Sequence, residues 1–192
     1  MTGLPGFTVE IDQNPYLPAG GRDVSAIVTV TADETGDAPA SGGGTGAAAG
    51  GNAEIIIIDC SGSMDYPPTK MTEARAATAA AIDVIHDGTS FAVVAGTSTS
   101  WPVYPSDGSM AIADNRTRSE AKSVLRQLRP SGGTAIGQWL RLAHQVFSSS
   151  PATLRHAILL TDGKNQHETP AELAAAVSLC EGVFRCDCRG VG

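Results

Sequence analysis

The sequence predicts an α/β domain, a doubly wound and mostly parallel sheet with helices on both faces, preceded by a separate N-terminal β appendage. Three observations predict it. The runs Ile55–Ile58, Phe91–Ala95 and Arg155–Thr161 are short and largely apolar without polar alternation, as strands buried on both faces of a parallel sheet are. Between them lie longer segments whose apolar residues recur at helical spacing. The chain, at 192 residues, is long enough for one sizeable core, and its alternation of strand and helix patterns is that of an α/β domain.

In order, residues 7–12 and 24–31 alternate apolar with polar in the strand manner, joined by the turn-rich stretch 14–21. An isolated pair of strands is marginal in water, so both are expected to pair with something else. Residues 34–52 are mainly Gly, Ala, Thr and Ser, a flexible linker by composition. The expected organisation is an incomplete β domain over 1–33, a linker over 34–52 and the main domain over 53–192. The main domain opens on the four-isoleucine strand. After Pro67-Pro68, a helix carries Met71, Ala74, Thr78, Ala81, Ile82 and Ile85 on one stripe and ends by Gly88. Phe91–Ala95 follows as a strand, then Trp101–Tyr104 as an edge strand in which Pro102 is tolerated, with a weaker strand pairing nearby. Thr117-Arg118-Ser119-Glu120 has the form of a capping box for a helix burying Ala121, Val124, Leu125 and Leu128. Its other face carries Arg118, Lys122, Arg126 and Arg129, which reads first as a solvated surface and second as a partner-binding stripe. The loop Ser131-Gly132-Gly133-Thr134 precedes a helix with Ile136, Trp139, Leu140, Ala143 and Phe147 inward. A strand over 155–161, a helix capped by Thr169-Pro170-Ala171-Glu172 and a last strand over 183–191 complete the order.

A net charge of −7 argues against a dedicated nucleic-acid or anionic-membrane surface, which needs a concentrated basic field. The N-terminal residues lack the charged leader and apolar run of a secretory signal, and no run reaches membrane-spanning length, so a cytoplasmic location is expected. Cys60, Cys180, Cys186 and Cys188 are too few for a disulfide framework, and reduced thiols are the default. Cys186 and Cys188 fall on one strand face beside Phe184, where burial as small apolar groups is preferred to zinc ligation or redox chemistry.

In doubly wound sheets ligands sit beyond the carboxyl ends of strands. Asp59 and Asp162 lie at such ends, Ser61 and Ser63 follow Asp59 on alternate residues, and Thr134 opens a helix from a Gly-rich loop. Oxygen ligands of this kind suit a hard divalent cation. Here the chain resembles the von Willebrand factor A domains, also called integrin I-like domains, with their metal-ion-dependent adhesion site. Asp59-Cys60-Ser61-Gly62-Ser63 stands as D-x-S-x-S, Thr134 follows Gly132-Gly133 as the Thr of the second loop, and Thr161-Asp162-Gly163 stands as T-D-G. The resemblance covers roughly 54–192. It implies a Rossmann-like fold and a metal set of Asp59, Ser61, Ser63, Thr134 and Asp162 holding Mg2+, with Mn2+ or Ca2+ as alternatives. Family members usually continue past the last strand with further helix and strand, so the chain reads as the front part of a longer, bacterial-type protein, whose later residues also supply the partners of the N-terminal strands.

The resemblance implies a module in which the held ion captures an acidic side chain of a protein partner. Its alternatives are a subunit of an intracellular ATP-driven chelatase, remodelling or stress-resistance assembly, and, behind both, a metal-assisted hydrolase. The enzyme reading is set aside: Ser119-Glu120-Ala121-Lys122 matches S-x-x-K without the motifs that accompany it in catalysts. Of the four histidines only His167 follows Asp162 closely enough to approach the metal rim, and an exposed loop histidine is the preferred reading of it.

Overall fold

The computed structural model describes residues 6–13, 26–33 and 51–191. The expected turn at 14–21 and the linker from 34 to 50 lie outside the described residues. The chain divides into two compact units, 1–45 and 46–192. In the first, β1 (Gly6–Gln13) and β2 (Ala26–Asp33) pair antiparallel with each other, from Gly6 opposite Asp33 to Gln13 opposite Ala26. The second strand thus starts and ends two residues later than its alternation suggested.

The second unit is built on β3 (Asn52–Asp59), β4 (Ser90–Gly96), β7 (Leu154–Thr161) and β8 (Arg185–Gly190), all parallel, with β5 (Ser100–Tyr104) and β6 (Ala111–Ile112) antiparallel to β4. The six-stranded sheet runs β5-β4-β3-β7-β8, with β6 beside β4. Asn52, assigned to the linker by composition, is the first residue of β3. Ile55–Ile58 are all buried because β3 is central and covered on both faces. Ile56 and Ile58 pack with Met71, Ala74 and Ile82 of α1 (Thr69–Val84) and with Ala121 and Leu125 of α2 (Asn115–Leu125). Ile55 and Ile57 face Trp139, Ala143 and Phe147 of α3 (Ile136–Ser148) and Cys180 of α4 (Pro170–Cys180). Each fully buried isoleucine contributes about 1.5–3 kcal/mol relative to exposure.

Two local expectations are corrected. The capping box of α2 lies one turn earlier than Thr117–Glu120: Asp114 is the cap, accepting from the Thr117 backbone N–H at 2.7 Å, and Thr117 Oγ1 accepts from the Asp114 N–H at 2.9 Å. A threonine at the third helical position performs the return half of the box usually made by Glu or Gln. Cys188 is exposed and Cys186 half-buried, not a buried pair, because β8 is the sheet edge. Both, with Cys180, line an apolar cavity of about 570 Å³ between β8, α3 and α4; burial pushes the Cys186 thiol up to about 12, with the neighbouring Cys188 adding to the shift. Of the expected basic stripe, Arg118 and Lys122 turn back to the protein, while Arg126 and Arg129 are exposed. Arg118 pairs with Asp87 and donates to the Ile85 carbonyl, and Lys122 pairs with Asp83. No helix among the described residues is long and apolar enough to cross a membrane.

Candidate metal centre

Strand order places the centre. From β3 the chain crosses through α1 to β4 on one side and returns to β7 on the other, so β3 and β7 flank the point where winding reverses, and a crevice opens beyond their carboxyl ends. Asp59 ends β3 and Asp162 follows Thr161, the last residue of β7. Thr134 reaches the same place from the loop before α3, which is bound there by backbone hydrogen bonds. Gly62 N–H donates to Gly132 O at 3.0 Å, Ser131 N–H to Cys60 O at 2.8 Å and Ala135 N–H to Thr97 O at 3.0 Å. Glycine is favoured at two of these positions, by backbone conformation at one and by tight contact at the other. Gly132 has φ +66°, and a Cβ on Gly62 would lie 3.0 Å from Gly132 O.

All five expected residues are brought together. Asp59 is fully buried, Ser61 and Thr134 are 1% and 4% exposed, and Ser63 opens to solvent. Asp59 Oδ1 accepts from the Ser61 N–H at 2.7 Å, and Ser61 Oγ and Ser63 Oγ lie 3.0 Å apart. Ser63 Oγ donates to Asp162 Oδ1 at 2.8 Å. A Cβ placed on Gly163 would sit 3.6 Å from each of Asp59 Oδ2, Ser63 Oγ and Thr134 Oγ1, so oxygens from two loops open onto one small space beside the third that a side chain would fill. Two carboxylates and three hydroxyls, all hard oxygens, fit a cation such as magnesium or manganese and not a soft one. Among the described residues no three His, Cys, Asp or Glu side chains form a metal cluster; this set relies on hydroxyls beyond its two carboxylates. Cys60, inside the motif, faces the core instead. Burial, reinforced by the Asp59 charge and opposed by Arg75, pushes its thiol up to about 12, so it stays protonated.

Five further residues hold the set in place. Thr161 Oγ1 donates to Asp59 Oδ2 at 2.5 Å. Lys70 Nζ pairs with Asp162 Oδ2 at 2.5 Å and donates to Ser63 O at 3.3 Å. The amino end of α3 has Ala135 at its cap position and no side-chain cap of its own. The loop after Asp162 supplies the missing acceptors: His167 Nδ1 takes the Thr134 N–H at 3.1 Å, Asn165 Oδ1 the Ile136 N–H at 3.0 Å and Glu168 Oε2 the Gly137 N–H at 2.7 Å. His167 therefore does stand beside the centre, its ring over Gly133, where a Cβ would lie 2.0 Å from Cε1. With Nδ1 accepting, Nε2 is the ring's donor nitrogen. Lys70, Asn165 and Glu168 were not singled out from sequence. The available signals were a lysine in a first helical turn, where the helix dipole disfavours a cation, and a helix without a cap.

The family model for the von Willebrand factor type A domain matches residues 53–192. The chain belongs to that family. It is also similar to a solved von Willebrand factor type A protein from Catenulispora acidiphila, with 49% identity and a TM-score of 0.74 over 97% of this chain and 40% of that one. This A-domain chain therefore spans about two fifths of that relative's length. An aerotolerance-related membrane protein from Bacteroides fragilis shares the fold at 24% identity and a TM-score of 0.59, covering 74% of this chain and 68% of that chain. So does proximal thread matrix protein 1 of the mussel byssus, solved with a zinc-occupied MIDAS motif, at 22% identity and a TM-score of 0.58 over 74% of this chain and 36% of that chain. No curated protein matches the A-domain chain.

Proposed function

We propose that this A domain is a divalent-metal-dependent protein-binding module, in which Asp59, Ser61, Ser63, Thr134 and Asp162 hold the ion and an acidic side chain of a partner completes its coordination. The observation that carries the reading is the cradle in front of Gly163, where Asp59 Oδ2 and Ser63 Oγ of the first loop and Thr134 Oγ1 of the second converge on the third. A bound ion would supply an electrophilic coordination position. The protein's part is to hold the five oxygens in place, with Ser63 on the open side. Magnesium and manganese suit the all-oxygen set; zinc is the ion in the mussel protein's motif.

Binding is favoured over hydrolysis because each carboxylate oxygen of the set already accepts a hydrogen bond, Asp59 from Ser61 and Thr161, Asp162 from Ser63 and Lys70. Neither is disposed to take a proton from water. The four free cysteines, Cys188 exposed among them, support a cytoplasmic setting, where thiols stay reduced. Calorimetric titration with Mg2+ and Mn2+ tests the centre: wild type is expected to bind and Asp59→Ala to lose binding, while equal affinity in both removes the metal reading. Pull-down from cell extract with and without chelator tests partner capture, and a partner retained equally under both conditions removes the metal from the interface.

A further inference from the structure

We propose that Lys70 is a built-in counter-cation of the metal centre, which weakens binding of the ion alone and makes the loaded centre selective for an anionic ligand. The inference rests on the metal reading above and concerns its regulation. Lys70 is the second residue of α1, where the amide end of the helix repels a cation, so its position needs a stronger attraction elsewhere. That attraction is Asp162. The ammonium lies 2.5 Å from Asp162 Oδ2 and 3.3 Å from Ser63 O, so it touches two of the three metal-bearing loops, and the Asp162 side chain is only 4% exposed. The carboxylate is thereby oriented from both sides, Oδ1 by Ser63 and Oδ2 by Lys70.

The charge balance follows. Asp59 and Asp162 alone would neutralise a divalent ion, whereas with Lys70 the protein contributes one net negative charge and the loaded centre is singly positive. A partner carboxylate then restores neutrality, so ion and acidic ligand each strengthen the binding of the other, a coupling that is reciprocal. Lys70 does this as a positioning residue, through Asp162, without being a ligand itself.

The test is Mn2+ titration by calorimetry of wild type, Lys70→Met, Lys70→Gln and Lys70→Arg, each in sodium chloride and in sodium acetate at equal ionic strength. Lys70→Met and Lys70→Gln are expected to bind Mn2+ about tenfold more tightly than wild type in chloride, as loss of a unit charge within one site implies. Lys70→Arg is expected to match wild type, and acetate to tighten wild type more than either neutral variant. Lys70→Gln keeps a donor for Asp162 Oδ2 without charge, so it separates electrostatics from support. Affinity in Lys70→Gln equal to or weaker than wild type, with wild-type binding still dependent on Asp59, overturns the role of Lys70 and leaves the centre standing. Absence of Asp59-dependent Mn2+ binding in wild type overturns both.

Discussion

At the residue scale the most informative position is Gly163, whose missing side chain keeps open the space shared by Asp59, Ser63 and Thr134. Its backbone does not need the left-handed region, so Gly163→Val is expected to fold, with a melting temperature near wild type, while losing at least about tenfold in Mn2+ affinity because the branched side chain occupies the cradle. Calorimetry paired with a circular-dichroism melt checks both halves, and undiminished Mn2+ affinity in a folded variant would place the ion elsewhere. Glu168 matters differently. Its side chain is 4% exposed, its Oε2 caps Gly137 and its Oε1 has no hydrogen-bond partner, with Arg141 Nη1 3.8 Å away. Glu168→Ala removes a cap from α3 and is expected to cost about 1 kcal/mol in urea denaturation. It should also weaken Mn2+ binding, since Thr134 directly precedes Ala135, the cap residue of that helix.

At the element scale, two helices begin with carboxylate capping boxes, and these give the domain part of its acid sensitivity. The Asp114 carboxyl is held below its ordinary 3.8 by hydrogen bonds from the Thr117 backbone and hydroxyl, and that of Glu172 below its ordinary 4.5 by the same groups of Thr169. For a depressed folded-state value, the stabilisation is present above the unfolded value and is lost as pH falls through the folded one. Asp114→Asn keeps an acceptor at the cap and removes the titration. Its melting temperature is therefore expected to fall less than that of wild type between about pH 5 and about pH 3; parallel loss in the two proteins would show that the Asp114 cap does not titrate with folding. The caps show how local signals are read. Thr169, Pro170 and Glu172 were legible because donor, ring and acceptor lie within four residues. The α2 box was displaced by one turn in the sequence reading, because Thr117 serves as its own helix's return acceptor and hides Asp114 as the cap. The caps of α3 come from residues 29 to 33 positions away and left no local trace.

At the scale of the whole molecule, β3 is the axis, and Trp139 joins α3 to the β4 end of the sheet. Its indole Nε1 donates to Thr97 O at 2.7 Å, and its ring lies where a Cβ on Gly96 would come within 2.3 Å. Trp139→Ala is expected to cost about 3–5 kcal/mol in urea denaturation. Trp139→Phe, which loses mainly the buried hydrogen bond, is expected to cost about 1–3 kcal/mol, and an equal loss in both would make the bond rather than packing the dominant contribution. What the sequence determined by itself was the repeated pattern. The apolar runs fix strands buried on both faces, the spaced stripes fix helices that cover them, D-x-S-x-S and T-D-G mark two loops at carboxyl ends of strands, and Thr134 marks a third loop that opens a helix. Each of these is set by neighbours within a few residues. The tertiary structure decided the rest, because it depends on groups far apart in the chain. It brought Lys70 against Asp162 and Thr161 against Asp59, across 92 and 102 residues, bound the loop after Asp162 to the amino end of α3, and set Lys122 of α2 against Asp83 of α1. Sequence periodicity reports which face of an element is buried; which charge meets which across that face is fixed only when the sheet order brings the loops to one end.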